Sequence, residues 1–149
     1  MLSLRAVLCL FLLTACAASQ STAPDTPWRA ELATSGGFSG RGLGNLSIDS
    51  DRKLTLTTMT SKSCTFDATA EELATFGRLV GTANAEGWAA SYAPENECCD
   101  RIEYLLTVDE AGKVGKTRWI DDPKPLPADV TALAQAFAKL RETYAPRCR

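Results

Sequence analysis

The stretch NLSIDSDRKLTLTTMT, Asn45 to Thr60, decides the fold of this chain. Leu46 and Ile48 alternate with polar residues, the two-residue period of a strand that buries one face. Asp51 to Lys53 is a polar turn, after which Leu54 and Leu56 resume the alternation among β-branched threonines that suit a pleated surface. Upstream, WRAELAT (Trp28 to Thr34) sets Trp28, Ala30 and Leu32 against Arg29 and Glu31 in the same rhythm. The three segments predict an antiparallel meander.

Downstream the period changes. Thr69 is placed to cap a helix, Glu72 three residues on completes a capping box, and Glu71 favours the positive end of the helix dipole. Leu73, Phe76, Val80 and Ala83 recur at helical spacing as a core stripe, and Trp88 and Tyr92 follow in a link. RIEYLLTV (Arg101 to Val108), DEAGK as a hairpin turn and VGKTRWI (Val114 to Ile120) then predict two more strands. Ile102, Tyr104 and Leu106 share one face of the first strand, with Leu105 on the other. DDPKPLP stops the sheet. A last helix begins near Pro127, a residue suited to a first turn, and turns Val130, Leu133, Ala134, Phe137, Leu140 and Tyr144 inward before Pro146 ends it. The expected class is α+β: an antiparallel sheet of about four to five strands with two helices packed on it, in the order βββαββα. It forms one domain over 28–149, without internal repeats.

The 149 residues, 45% hydrophobic and 23% charged, suit one such domain. The first fifteen read differently. Arg5 precedes an apolar run from Ala6 to Leu13 that is too short to span a bilayer and has the form of an export signal. LTAC, Leu13 to Cys16, resembles the lipobox of bacterial lipoproteins. That resemblance implies cleavage after residue 15, acylation of the Cys16 thiol and a lipid-anchored place in the bacterial cell envelope. Ala17 after the cysteine resembles the class sorted to the outer membrane in diderm bacteria. AASQSTAPDTP (Ala17 to Pro27) is small, polar and proline-bearing, so 16–27 is expected to be a lipidated flexible tether. Without the signal the chain keeps 15 basic and 18 acidic residues, which gives it no electrostatic reason to hold nucleic acid.

Cys64, Cys98, Cys99 and Cys148 remain in the mature domain, and four thiols in an oxidising compartment favour two disulfides. A bridge between the adjacent Cys98 and Cys99 needs a strained ring, so Cys64 and Cys148 are each expected to bond one of that pair, in either assignment. The chain has no histidine, the commonest general base and metal ligand, and no CxxC knuckle. Neither a metal site nor a cofactor is expected. Glu95, Glu97 and Asp100 read as solvated surface rather than as paired catalytic carboxylates, and the chain is not read as an enzyme.

TSGGFSGRGLGN, Thr34 to Asn45, holds five of the ten glycines. A phosphate-binding loop needs a helix N-terminus directly after it, whereas LSID continues as a strand. Two readings stay open. The glycines permit a bulge with Phe38 in the core, or Gly36, Gly37, Phe38, Ser39 and Arg41 form an exposed partner-binding loop. The segment Ser61 to Phe66, read as a loop braced by Cys64, is a rival surface.

SGGFSGRG (Ser35 to Gly42), EEL with a following LV (Glu71 to Leu73, Leu79, Val80), DRIEYLLTV (Asp100 to Val108) and the terminal amphipathic helix together resemble the emfourin family. The similarity runs from about Leu32 to Leu140. It implies a small protein inhibitor of thermolysin-like zinc metalloproteases that blocks the active-site cleft. The lipid anchor and the cysteines depart from that family's soluble, cysteine-poor pattern. The alternative is a non-inhibitory envelope lipoprotein that binds another envelope protein or serves as a structural module.

Overall fold

A computed structural model describes residues 26–94, 100–121 and 125–148 of the chain. The expected signal peptide, Cys16, nearly all of the tether, Glu95, Glu97, Cys98 and Cys99 lie outside the described residues.

The elements are β1 (Trp28–Gly36), β2 (Asn45–Asp49), β3 (Lys53–Thr57), β4 (Ser63–Asp67), α1 (Ala70–Thr82), β5 (Ile102–Glu110), β6 (Lys113–Ile120) and α2 (Ala128–Tyr144). Short 3-10 turns follow at Ala85–Gly87 and Ala145–Arg147. The class is α+β as expected, but the sheet has six strands rather than four to five, in the spatial order β4-β3-β2-β1-β5-β6. Every neighbouring pair is antiparallel.

The additional strand is β4, which replaces the loop expected at Ser61 to Phe66. Cys64 and Phe66 face the helices while Ser63, Thr65 and Asp67 face solvent. One of its two inward residues is a cysteine, so it lacks the paired aliphatic residues that mark β2 and β3 in the sequence. A tight turn delivers it: Ser61 N–H donates to Thr58 O at 2.9 Å and Thr58 N–H to Lys62 O at 2.8 Å.

Local chemistry sets the other turns. Asp49 Oδ1 accepts from the N–H groups of Asp51 (3.1 Å) and Lys53 (3.0 Å), closing the β2–β3 turn. Asp109 Oδ1 does the same for Gly112 at 2.9 Å in the expected β5–β6 hairpin. These two turns lie at the end of the sheet where β1 enters. The β1–β2 and β3–β4 connections lie at the other.

Register places Ala30 between Ile48 and Val108 and Leu32 between Leu46 and Leu106, so one face of the sheet is a continuous apolar surface. A one-residue slip would turn all of these to solvent. The two helices cover that face with Phe76, Val80, Val130, Leu133, Phe137 and Leu140, each almost fully buried. Phe76 and Phe137 meet edge-on, ring centres 4.9 Å apart, and join α1 to α2. The capping box is formed as expected: Glu72 N–H donates to Thr69 Oγ1 at 3.2 Å and Thr69 N–H to Glu72 Oε2 at 2.7 Å. The same Glu72 oxygen accepts from Tyr144 Oη at 2.9 Å, which ties the start of α1 to the end of α2. Pro127 is the N-cap of α2 rather than a first-turn residue, held with an extended ψ of 149°.

Cys64 is bonded to Cys148, with the two Cα atoms 5.8 Å apart. This corrects the expectation that each would take one of the Cys98 and Cys99 pair. The sheet order supplies the reason: β4 is one edge and the 3-10 turn after α2 folds onto its inner face. β5, which starts just after the CysCys pair, is four strand positions away, about 19 Å at the usual interstrand spacing. Arg147 lies over the rings of Phe66 and Tyr144 at 5.0 and 4.9 Å and closes the same corner.

Candidate functional site

The glycine-rich connection between β1 and β2 leaves the end of the sheet as a knuckle with its own hydrogen bonds. Gly40 N–H donates to Gly37 O (2.9 Å), Gly42 N–H to Gly36 O (2.9 Å) and Gly37 N–H to Arg101 O (2.9 Å). Ser39 Oγ accepts from Arg41 N–H at 3.3 Å. The backbone requires glycine most clearly at Gly44, where φ is +84° and a Cβ would lie 2.0 Å from Thr57 O.

Two residues clamp the base of this knuckle. Thr34 is the last inward residue of β1 and is buried; its hydroxyl donates to Gly44 O at 2.6 Å and accepts from Leu43 N–H at 2.8 Å. From the other side, the Arg141 guanidinium on α2 donates to the carbonyls of Leu43 and Gly44. Burial lowers the Arg141 pKa below its usual value, opposed by the nearby Tyr104. The sequence reading missed both clamps. A threonine at the inner end of a strand is a weak signal, and Arg141 serves carbonyls nearly 100 residues away.

The five expected partner-binding residues do come together. Gly36 and Gly37 form the partly buried stem of the knuckle, while Ser39 and Arg41 are exposed. Phe38 resolves the choice left open by the sequence. It is 98% exposed at the tip, so it is not a core residue. Arg41 Nη1 reaches Met59 O at 3.4 Å and links the knuckle to the β3–β4 turn, whose Met59 is itself exposed. The rival surface at Ser61 to Phe66 is instead the edge strand β4.

Around the corner, Tyr104 on β5 stacks on Trp119 of β6, ring centres 5.4 Å apart and nearly parallel, and donates its hydroxyl to Asp121 Oδ1 at 3.1 Å. Burial raises the Tyr104 pKa, with the Asp121 charge and hydrogen bond adding to the effect. Asp100, the first residue of the DRIEYLLTV stretch, is exposed. Among the described residues no cluster of three or more His, Cys, Asp or Glu side chains is arranged to hold a metal ion, and no helix is long and apolar enough to cross a membrane.

Comparison with family models, with curated proteins and with solved structures finds no match. The emfourin resemblance therefore stands on the short motifs quoted for it.

Proposed function

We propose that this chain is an envelope lipoprotein whose domain binds a protein partner through the β1–β2 knuckle, and that the partner is a thermolysin-like metalloprotease whose active-site cleft the knuckle blocks. One observation carries the reading: a phenylalanine 98% exposed on a loop whose backbone is fixed from within and clamped by Thr34 and Arg141. A large apolar side chain gains nothing for the folded domain in that position. A loop ordered before contact loses little entropy on binding, which is the physical requirement for a tight cleft inhibitor. The resemblance of SGGF, Ser35 to Phe38, to the emfourin signature supplies the protease class.

The test mixes the lipid-free chain from Ser21 onward with thermolysin-like proteases and follows peptide hydrolysis. Slowed hydrolysis is expected. Phe38→Ala should weaken inhibition by about 2 to 3 kcal/mol, roughly 30- to 150-fold in Ki, the value of one fully buried phenylalanine anchor. Full hydrolysis with the wild-type chain in molar excess over several enzymes of the class would overturn the protease assignment. Capture of another envelope protein that depends on Phe38 would then favour the non-inhibitory binding module.

A further inference from the structure

A second feature of the domain is independent of Phe38. Between the flank of α2 and the β5–β6 end of the sheet runs a groove of about 690 Å³, within the size range of sites for small ligands. α2 buries Val130, Leu133, Phe137 and Leu140 in the core and presents the short side chains of Ala134 and Ala138 to this groove. Leu32, Trp119 and Leu126 complete the apolar walls. The helix flank from Thr131 to Ala145 gives it a length of ~21 Å at 1.5 Å per residue.

The polar groups at one end are unequal. Asp121 is engaged, accepting from Tyr104 Oη and from Ile102 N–H at 3.1 Å each. Glu142 lies on the exposed rim. Arg141 is different: it lines the groove, is partly buried, and has two backbone carbonyls as partners, with no carboxylate of the described residues at ion-pair distance. Its guanidinium has five N–H groups, and these carbonyls leave some of them without a partner. A partly desolvated cation at the end of an apolar trough complements a molecule with one anionic head and a long apolar body.

We propose that this groove binds a single-chain anionic amphiphile, a long-chain fatty acid or a lipid with one acyl chain and an anionic head, with Arg141 holding the head and the trough between α2 and Trp119 holding the chain.

The strands and helices of the described residues lie within 28–147, so the experiment uses the lipid-free chain from Ser21 onward. A dibrominated stearate is titrated against tryptophan fluorescence, since bromine in the trough would quench Trp119. Saturable quenching is expected, lost in Trp119→Phe and blocked by Ala134→Phe, which fills the trough. Displacement by palmitate should be at least about tenfold more effective than by the uncharged alcohol of equal length, the worth of roughly one charge-assisted contact. Arg141→Gln should erase that preference and Arg141→Lys restore much of it, which separates head-group binding from the role of Arg141 in clamping the knuckle. Lysophosphatidic acid in place of palmitate distinguishes a phosphate head from a free carboxylate. Absence of saturable quenching, quenching that survives Trp119→Phe, or equal displacement by acid and alcohol in the wild type would each overturn the proposal. Unchanged melting curves for the variants exclude misfolding as the cause of lost binding.

Discussion

Replacing both bridged cysteines, Cys64→Ala with Cys148→Ala, removes a closure between residues 84 apart in sequence. In the chain-entropy account a loop of that length restricts the unfolded chain by about 4.5 kcal/mol at 25 °C. The buried position of Cys148 adds little, because alanine fills most of the same space. For a domain of this size the loss corresponds to a melting point lower by roughly 15 to 20 °C. Guanidinium denaturation followed by far-UV circular dichroism should show the midpoint falling and the slope m rising, as the released chain exposes more surface when unfolded. Hydrogen exchange adds a local readout. β4 is an edge strand bonded on one side, so its amides should lose protection well before those of β1 at the centre of the sheet. A stability loss below about 1 kcal/mol, or peptide mapping that links Cys64 to Cys98 or Cys99, would refute both the pairing and the mechanism.

Three further outcomes follow from single side chains. Asp129 accepts from Trp88 Nε1 and Asn84 N–H through Oδ2 and from Val130 N–H through Oδ1, so Asp129→Ala should destabilise by about 1 to 3 kcal/mol in denaturant. Partial burial raises its pKa, but these accepted bonds outweigh the burial and the folded value lies below the usual aspartate value. The unfolded chain therefore binds the proton more readily. The Asp129 contribution should be fully present above the ordinary aspartate range and disappear as pH falls through the folded pKa, a dependence that stability-against-pH curves of Asp129→Asn should lack. Thr69→Ala removes the capping hydroxyl from an exposed site and should cost about 1 kcal/mol without altering the sheet, as read by equilibrium unfolding. Gly44→Ala drives a methyl group into Thr57 O and should destabilise by more than about 2 kcal/mol, whereas Phe38→Ala should stay within about 0.5 kcal/mol of wild type because Phe38 touches no core.

What the sequence conveyed depended on how many residues repeated each signal. β1 and β5 alternate several times, β2 and β3 each set two aliphatic residues against polar neighbours, β6 follows a marked hairpin turn, and Thr69 with Glu72 marks one helix start by two coupled residues. Those elements stand where they were expected. One of the two inward residues of β4 is a cysteine, and the strand's pairing with β3 is made by a turn containing Ser61 at a positive φ of 65°, a conformation that serine seldom signals. The disulfide was misassigned because adjacency in sequence was weighed without the sheet order, which puts β4 beside the C-terminal turn and far from β5. For the site, glycine spacing located the knuckle, but whether Phe38 faced in or out depended on Thr34 and Arg141, whose partners are distant carbonyls. Arg141 lies on the flank of the α2 stripe, where helical periodicity assigns it only a solvated surface.

The direction of β1 has a consequence for reach. It runs from Trp28, near the start of the described residues, to Gly36, at the root of the knuckle, and its nine residues span about 30 Å. On the proposal that Cys16 is lipidated, the domain is anchored through the chain that enters at Trp28, the end of β1 opposite the knuckle. Phe38 is then separated from the anchored end of the domain by the length of that strand, about 30 Å. A partner held in the same membrane would have to bridge that separation, so the direction of β1 sets a reach that a partner meets before any side chain has made contact.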